Sequence, residues 1–226
     1  PQGIGGIAVI RISGDEAISL TDKIFKGKTK LSDAETHTIH YGFIVDEHGG
    51  KIDEVLVSVM RAPHTFTRED VVEINTHGGT RASQAVMREL IRAGVRPAEG
   101  GEFTKRAFLN GRIDLSQAEA VIDIINAKTE LAGKNALSQA EGTLFRGIES
   151  IRQELVKLAA SIQVCIDYPD EDLEDITDDD ILQKVLLAKE SVSSLLATSQ
   201  SGRVIKDGLL TAIVGRPNVG KSSLLN

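Results

Sequence analysis

Eight residues near the C-terminal end of the sequence have the types and spacing of a phosphate-binding loop. They fit the pattern G-x-x-x-x-G-K-[ST] and read Gly215-Arg216-Pro217-Asn218-Val219-Gly220-Lys221-Ser222. The glycines let the backbone curl so that successive N–H groups point at phosphate oxygens, which a Cβ would obstruct. Lys221 would neutralise the β- and γ-phosphates, and the Ser222 hydroxyl would bind Mg²⁺. An apolar strand-like segment precedes the loop and a helix start follows it, so a nucleotide site is favoured over a chance match in a turn.

Two charged residues interrupt apolar, strand-like segments in the first third of the sequence. Arg11 is the only charge within residues 7–12, and Glu73 interrupts the run that starts at Val71. A charge on a strand must face water or a partner, because burying it unpaired is costly. From the residues alone, an ion pair between them or a solvated sheet face is the favoured interpretation.

The first hundred residues predict an α+β fold with a largely antiparallel sheet. Apolar runs and alternation predict four strands, and residues 46–50 have the composition of a hairpin turn. Apolar residues at helical spacing predict two helices, the second closed by Gly94. The predicted strands are 7–12, Thr38–Val45, 54–60 and Val71–His77, and the predicted helices are 17–25 and Thr80–Ala93.

From Asp114 onward the pattern is helical. Ser116 and Glu119 form a predicted capping box, and so do Thr177 and Asp180. Apolar residues recur at steps of three and four from Leu144 to Cys165, which predicts a long helix ending before Pro169. A second helix is expected to close at Gly202 with four residues inward: Val185, Ala188, Val192 and Leu195. A short strand is expected over residues 209–214, and the predicted domains are 1–113, 114–207 and 208–226.

Composition limits the classes of function. The chain has 226 residues, 41% hydrophobic and 26% charged, which predicts a folded chain with a substantial core. Its net charge of −7 means that an RNA partner would need a local basic patch, for which Lys105, Arg106 and Arg112 are one candidate and a solvated face the alternative. The single cysteine, Cys165, excludes a disulfide framework within the chain and predicts a reducing, cytoplasmic compartment. The histidines lack metal-ligand spacing, and the sequence predicts no membrane span.

Several separate segments, in the same order, resemble the tRNA-modification GTPases of the MnmE (TrmE) family. The loop segment 215–226 alone would not distinguish these proteins from ribosome-assembly GTPases, but the upstream segments do. Together the similar segments span essentially the whole sequence; the upstream ones are residues 3–14, 66–79, 101–120 and 166–171.

The resemblance implies a three-part protein. An α+β folate-binding domain, similar to aminomethyltransferases, would mediate homodimerisation and precede an all-α helical domain, into which an α/β P-loop GTPase domain is inserted. The family works with the flavoprotein MnmG, in a heterotetramer, to add an aminomethyl or carboxymethylaminomethyl group at C5 of the wobble uridine of tRNA. A tetrahydrofolate derivative (5-formyl- or methylene-tetrahydrofolate) supplies the one-carbon unit, and potassium stimulates GTP hydrolysis.

The resemblance also implies site residues. The folate contacts would be Arg11, Glu73 and Arg112, since a carboxylate can bind the donor–acceptor edge of a pterin and an arginine can bind the anionic glutamate tail. Asn218 would coordinate K⁺, or else be a plain turn residue, and Ser222 would bind Mg²⁺. We assign no catalytic residue and do not expect this chain alone to hydrolyse GTP. The GTP contacts would be Asn218, Val219, Gly220, Lys221, Ser222 and Ser223.

Two alternatives remain at this point. One is a folate-dependent one-carbon transferase with an appended nucleotide switch, and the other is a ribosome-assembly GTPase without folate chemistry. Folate binding distinguishes the ribosome-assembly GTPase from the other two, and loss of modified wobble uridine in a deletion strain distinguishes tRNA modification from simple one-carbon transfer.

Overall fold

The computed structural model describes residues 5–168, 177–208, 211–212, 214–215, 220 and 223. The chain divides into two compact units, with the boundary between Ala118 and Glu119. The elements are β1 (Ile7–Ser13), α1 (Ala17–Asp22), β2 (Phe25–Gly27), a 3₁₀ turn (Leu31–Asp33), β3 (Thr38–Val45), β4 (Lys51–Met60), β5 (Val71–His77), α2 (Thr80–Ala93), α3 (Glu102–Leu109), α4 (Leu115–Asn126), α5 (Glu130–Ala140), α6 (Thr143–Asp167) and α7 (Asp178–Asp207).

The first unit is built on an antiparallel sheet whose strands lie in the order β1-β5-β4-β3-β2. The predicted α+β class and antiparallel pairing are therefore confirmed. Strands β3 and β5 have the predicted bounds, and β4 begins at Lys51, three residues earlier than predicted. Helix α1 ends at Asp22, not at Phe25 as predicted, because Phe25 starts β2 and pairs with Ile44.

One face of the sheet is buried under α1 and α2. Alternate residues of the strands point to that face, as the two-residue period of a strand requires. On β5, Val72 and Ile74 point inward, whereas Glu73 and Asn75 lie on the opposite face. The core cluster consists of Ile10, Ile12, Ala17, Ile18, Ile24, Phe25, Leu31, Ala34, Ile44, Val55, Val57, Val59, Val72, Ile74, Val86 and Leu90.

The second unit contains most of α4 together with α5, α6 and α7. The long helix α6 and the capping box that opens α7 are as predicted: Asp180 N donates to Thr177 Oγ1 at 3.1 Å, and Thr177 N donates to Asp180 Oδ2 at 3.1 Å. At the far end of α7, Lys206 Nζ lies 2.8 Å from Asp123 Oδ2 of α4. Cys165, predicted to be in the core, is half-buried.

Helix α4 starts earlier than predicted. Its capping box is Asp114 with Gln117, not Ser116 with Glu119. Gln117 N donates to Asp114 Oδ1, and Asp114 N donates to Gln117 Oε1, each at 3.0 Å. Ser116 donates its hydroxyl to the same Asp114 carboxylate at 2.6 Å, so it supports the cap but does not form it.

Helix α7 differs from its prediction in length and orientation. It continues past Gly202 to Asp207, since a helix interior tolerates glycine at a cost of about 1 kcal/mol, and the left-handed φ of +75° lies at Gly208. Val185 and Val192, predicted to point inward, are exposed. Ala188 and Leu195, also predicted to point inward, are half-buried, and Ala188 lines the groove between α6 and α7 together with Lys184, Leu187 and Ser191 of α7.

The predicted strand over 209–214 falls partly outside the described residues. The structure describes three residues of this segment, and none of them is in a strand: Thr211, Ala212 and Val214. No described helix is long and apolar enough to cross a membrane.

We predict that Ile74→Ala lowers the free energy of unfolding by about 2–5 kcal/mol. Ile74 is fully buried between Ile10 of β1 and Val57 of β4, so removing its side-chain methyl groups leaves a cavity in the sheet. Urea unfolding measures the change. Leu109→Ala, at an exposed position of the same unit, is the control and should change the free energy by less than about 0.5 kcal/mol. Equal effects would contradict this core assignment.

Candidate functional site

A cavity of about 610 Å³ lies at the end of β1 in the first unit. Its wall includes β1, the start of α1, residues 94–98 and the first turns of α3. The volume is in the range of small-molecule sites. The polar and aromatic side chains at the cavity include Arg11, Arg96, Glu102, Phe103 and Arg106.

Arg11 and Glu73 are brought together on the open face of the sheet. They are directly opposite each other in the β1–β5 ladder, and Arg11 Nε donates to Glu73 Oε1 at 2.7 Å. The ion pair expected from the residues alone is therefore formed. The Arg11 guanidinium is 5.9 Å from the centre of the Phe103 ring, within cation–π distance. The side chains are 46% and 24% exposed, so both remain accessible to a ligand.

Arg112 lies against a different segment. Its guanidinium is 4.7 Å from the centre of the Phe66 ring, and Nη1 donates to the Phe66 carbonyl oxygen at 3.3 Å. Among the described residues, no hydrogen bond or ion pair joins it to Arg11 or Glu73. The structure thus brings together two of the three residues predicted to bind folate, and the third, which follows α3, packs against the loop 62–70.

The Glu69 carboxylate connects this loop to β1 and α3. Ser13, the last residue of β1, donates its hydroxyl to Glu69 Oε2 at 2.8 Å and also contacts the Thr67 hydroxyl at 2.6 Å. Arg106 Nη1 donates to both oxygens of Glu69 at 3.0 Å. Three segments that are far apart in sequence therefore meet at one carboxylate beside the cavity.

Glu102 extends the same network. Its carboxylate accepts hydrogen bonds from Arg106 Nη2 at 2.9 Å, from Arg96 Nη1 at 2.9 Å and from the backbone N–H of Glu99 at 2.9 Å. The hydrogen bond from Arg96 is the largest cause that holds the pKa of Glu102 well below its usual range, followed by those from Glu99 and Arg106. Glu102 in turn raises the pKa of both arginines. Glu102, Arg96 and Arg106 therefore stay ionised at neutral pH.

The loop 62–70 is held in a strained conformation by α3. Arg68 has a φ of +59°, a left-handed value that costs a non-glycine residue about 1–3 kcal/mol. The end of α3 compensates: Asn110 Nδ2 donates to the Thr67 carbonyl at 2.7 Å, and Arg68 Nη1 donates to the Asn110 carbonyl at 3.0 Å. The first bond fixes the backbone just before Arg68 and the second holds the Arg68 side chain, so the end of α3 is attached to the loop that carries Phe66.

Glu69 and Glu102 are not among the residues that the sequence predicts for this site. The spacing of Glu102 and Arg106, four residues apart on one helix, is the local signal that could have suggested their pairing. The proposed basic cluster of Lys105, Arg106 and Arg112 is not a single patch of free cations, because Arg106 is paired with carboxylates and Arg112 stacks on Phe66.

The phosphate-binding loop is described only in part. Gly220 has a φ of +86°, as the tight turn of such a loop requires, and Ser223 N donates to the Gly220 carbonyl at 3.1 Å. The described residues contain no group of three or more His, Cys, Asp or Glu side chains that could hold a metal ion. The other predicted GTP and metal contacts lie outside the described residues: Asn218, Val219, Lys221 and Ser222.

Family models match both parts of this chain. Residues 1–112 match the family model described as GTP-binding protein TrmE N-terminus, and residues 115–211 match the MnmE helical domain. Curated relatives named tRNA modification GTPase MnmE are 57% identical in Listeria innocua, 53% in Enterococcus faecalis and 53% in Bacillus subtilis. Each alignment covers 100% of this chain, which spans about half the length of these relatives, 49–50%.

We predict that Glu102→Gln weakens the pH dependence of stability on the acid side. Because the folded-state pKa of Glu102 is depressed, its stabilisation is present above the ordinary pKa of glutamate, about 4.3, and is lost as the pH falls below that value. Urea unfolding between pH 7 and pH 3 should therefore show a shallower loss in the variant. The control is Glu35→Gln, at an exposed position; if both variants keep the wild-type slope, the network does not contribute.

Proposed function

The chain belongs to the MnmE family of tRNA modification GTPases, and from this membership we propose that it supplies the folate-binding unit, the first helical segment and the phosphate-binding loop of such an enzyme. The observation on which the proposal depends is the Arg11–Glu73 pair, at the cavity beside β1. The complete protein would use a tetrahydrofolate one-carbon unit and GTP hydrolysis to modify C5 of the wobble uridine in tRNA.

The chemistry of the cavity supports a tetrahydrofolate derivative as its ligand. Glu73 can accept hydrogen bonds from the N–H groups of a pterin edge, and an arginine can bind the carboxylates of the glutamate tail. Arg11 and Glu73 form an exposed ion pair, and such pairs contribute only about 0–1 kcal/mol. A ligand that forms hydrogen bonds with both side chains would therefore separate them at little cost. Phe66 and Phe103 provide aromatic faces beside the cationic groups.

The network around Glu69 would orient the ligand-binding groups. It fixes the end of β1 relative to α3, and the end of α3 in turn fixes the loop that carries Phe66. A ligand that bridges Arg11 and Arg112 would then meet backbone segments that are already held in place, which reduces the entropy lost on binding. In the proposed enzyme this unit presents the one-carbon unit, and a flavoprotein partner supplies the redox chemistry.

The phosphate-binding loop is the proposed GTP site. Lys221 would neutralise the terminal phosphates, Ser222 would bind Mg²⁺ and Asn218 would coordinate K⁺, with the left-handed Gly220 supporting the turn. GTP binding and hydrolysis would change the geometry between the folate unit and the redox partner. The match of residues 1–112 to the TrmE N-terminus favours this role over ribosome assembly, and the relatives' names favour tRNA modification over simple one-carbon transfer.

We also propose that the first unit forms a homodimer through the face of the sheet opposite α1 and α2. That face carries exposed apolar side chains on three strands, which a partner surface would remove from water. The cytoplasmic location indicated by the single cysteine remains a prediction. The exposed apolar side chains are Ile7, Val9, Ile39, Tyr41 and Leu56.

We predict that Arg11→Ala and Arg112→Ala each reduce the affinity for 5-formyl-tetrahydrofolate by about tenfold or more, since each removes a charge-assisted hydrogen bond of about 1.5–3 kcal/mol. Calorimetric titration of the full-length protein measures this. Arg88→Ala, at an exposed position on α2, is the control and should bind as the wild type does. Unchanged affinity in both site variants would remove the folate assignment.

We predict that Lys221→Ala in the full-length protein lowers GTP turnover by about a hundredfold or more, because the developing phosphate charge loses its cation. Folate affinity should stay at the wild-type value, since Lys221 belongs to a separate module. Steady-state GTP hydrolysis and folate titration of the same preparation test both statements. A parallel loss of folate affinity would show that the two sites are not separable.

A further inference from the structure

Four lysines surround the edge strand β2. Residues 23–30 contain Lys23, Lys26, Lys28 and Lys30 and no carboxylate, and all four lysines are exposed. Together with the adjoining residues they line an open cavity of about 550 Å³. We refer to these four residues as the lysine cluster.

The lysine cluster differs from several arginines of this unit because its members have no carboxylate partner among the described residues. Among the described residues, no carboxylate lies within ion-pair distance of Lys26, Lys28 or Lys30, and Lys23 donates only to the Ala93 carbonyl, at 3.4 Å. Several arginines, by contrast, are paired with a glutamate: Arg11 with Glu73, Arg92 with Glu89, Arg96 with Glu102, and Arg106 with Glu69 and Glu102.

Two acidic side chains border the lysine cluster, and they do not neutralise it. Asp22 accepts hydrogen bonds from the backbone N–H groups of Leu31 at 2.6 Å and Ser32 at 2.9 Å, so its carboxylate is engaged by the chain itself. Asp33 is exposed and contributes one negative charge at the cavity. The surface therefore keeps an excess of positive charge, although the whole chain has a net charge of −7.

Protection of the sheet edge accounts for only part of this arrangement. A lysine on an edge strand discourages pairing with another sheet. However, β2 has only three residues, Phe25–Gly27, and Lys26 is its only lysine. Lys23 precedes the strand, and Lys28 and Lys30 follow it, so they are not needed to protect the edge. Like charges held close together repel one another, which makes an unneutralised cluster unfavourable unless a polyanion binds to it.

The backbone that carries the lysine cluster is firmly anchored. A Cβ on Gly42 of β3 would lie 2.5 Å from the Lys26 carbonyl oxygen, so β2 lies too close to β3 for any other residue at this position. On the other side, the hydrogen bonds from Leu31 and Ser32 to Asp22 fix the chain just after Lys30. The ammonium groups are thus presented from fixed backbone positions, and only the side chains are free to adjust.

We propose that the lysine cluster is a docking surface for the phosphate backbone of RNA. The inference rests on the proposed function, which supplies tRNA as that RNA. Lysines act as point charges that neutralise phosphates without regard to sequence, and the hydroxyls of Ser19, Thr29 and Ser32 at the same cavity are further donors to phosphate oxygens. An acidic protein is disfavoured as the partner, because protein interfaces are depleted in lysine and depend on aromatic anchors, whereas Phe25 is buried here.

The test compares binding of an unmodified tRNA transcript to the full-length wild-type protein and to a variant combining Lys26→Gln, Lys28→Gln and Lys30→Gln. Lys23 is left intact because of its bond to Ala93. The variant should bind tRNA at least about tenfold more weakly than the wild type at low salt. The slope of the logarithm of the association constant against the logarithm of the salt concentration should become less steep by about 2–3, since each phosphate contact contributes about 0.7–0.9.

The matched control carries the same change in charge elsewhere. It combines Lys51→Gln, Lys134→Gln and Lys157→Gln, replacing lysines that lie over Phe43 or pair with Glu130 and Glu154. It should keep the wild-type tRNA affinity and salt slope. A second variant with arginine at positions 26, 28 and 30 should also bind as the wild type does, because the charge is kept. Thermal unfolding followed by circular dichroism, measured on every variant, reports whether it has folded.

The outcomes separate this inference from the proposed function. If the glutamine variant and the control bind tRNA equally, the lysine cluster only protects the sheet edge and the inference is wrong, while tRNA modification stands. If the glutamine variant loses binding to an acidic protein but keeps the wild-type affinity for tRNA, the inference is also wrong. If the wild type itself does not bind tRNA at low salt, both the inference and the tRNA part of the proposed function fail. Comparing folate binding by the wild type with that by Arg11→Ala then still tests the folate part of the proposed function.

Discussion

Arg106 Nη1 donates to both oxygens of the Glu69 carboxylate, and this contact connects α3 to the loop that follows β4. Charge-assisted hydrogen bonds are stronger than neutral ones, so the pair holds together two segments that are far apart in sequence. Ser13 adds the end of β1 to the same carboxylate. Three segments beside the cavity are therefore joined at one polar junction.

The two faces of the sheet have separate tasks. The inner face is continuous and apolar under α1 and α2, and its burial provides the stability that allows a strained residue such as Arg68 to persist. The outer face carries Arg11 and Glu73 beside exposed apolar side chains. The period of two along a strand makes this separation possible, since neighbouring residues such as Ile10 and Arg11 point to opposite sides.

Positive charge is used in two ways. The arginines near the cavity are held by carboxylates or stacked on rings, as Arg106 and Arg112 are, so their planar groups have defined directions. The lysine cluster has a fixed backbone, and none of its side chains has a carboxylate partner among the residues that the structure describes. The first arrangement suits a small ligand with a definite shape, and the second suits a polymer whose phosphates repeat along its length.

The sequence by itself determined the elements whose signals are local: the alternation of β3 and β5, the helix α2 closed by Gly94, and the capping box of Thr177 with Asp180. Where two local signals competed, as in Asp114–Gln117 against Ser116–Glu119, only the structure decided, since both have the same spacing. It also decided which charges pair across 37 residues, as Glu69 and Arg106 do, and which have no carboxylate partner in the described part of the chain, as Lys26, Lys28 and Lys30. Such pairing depends on distances between elements, and these are set by the packing of the whole sheet and not by any short stretch of chain.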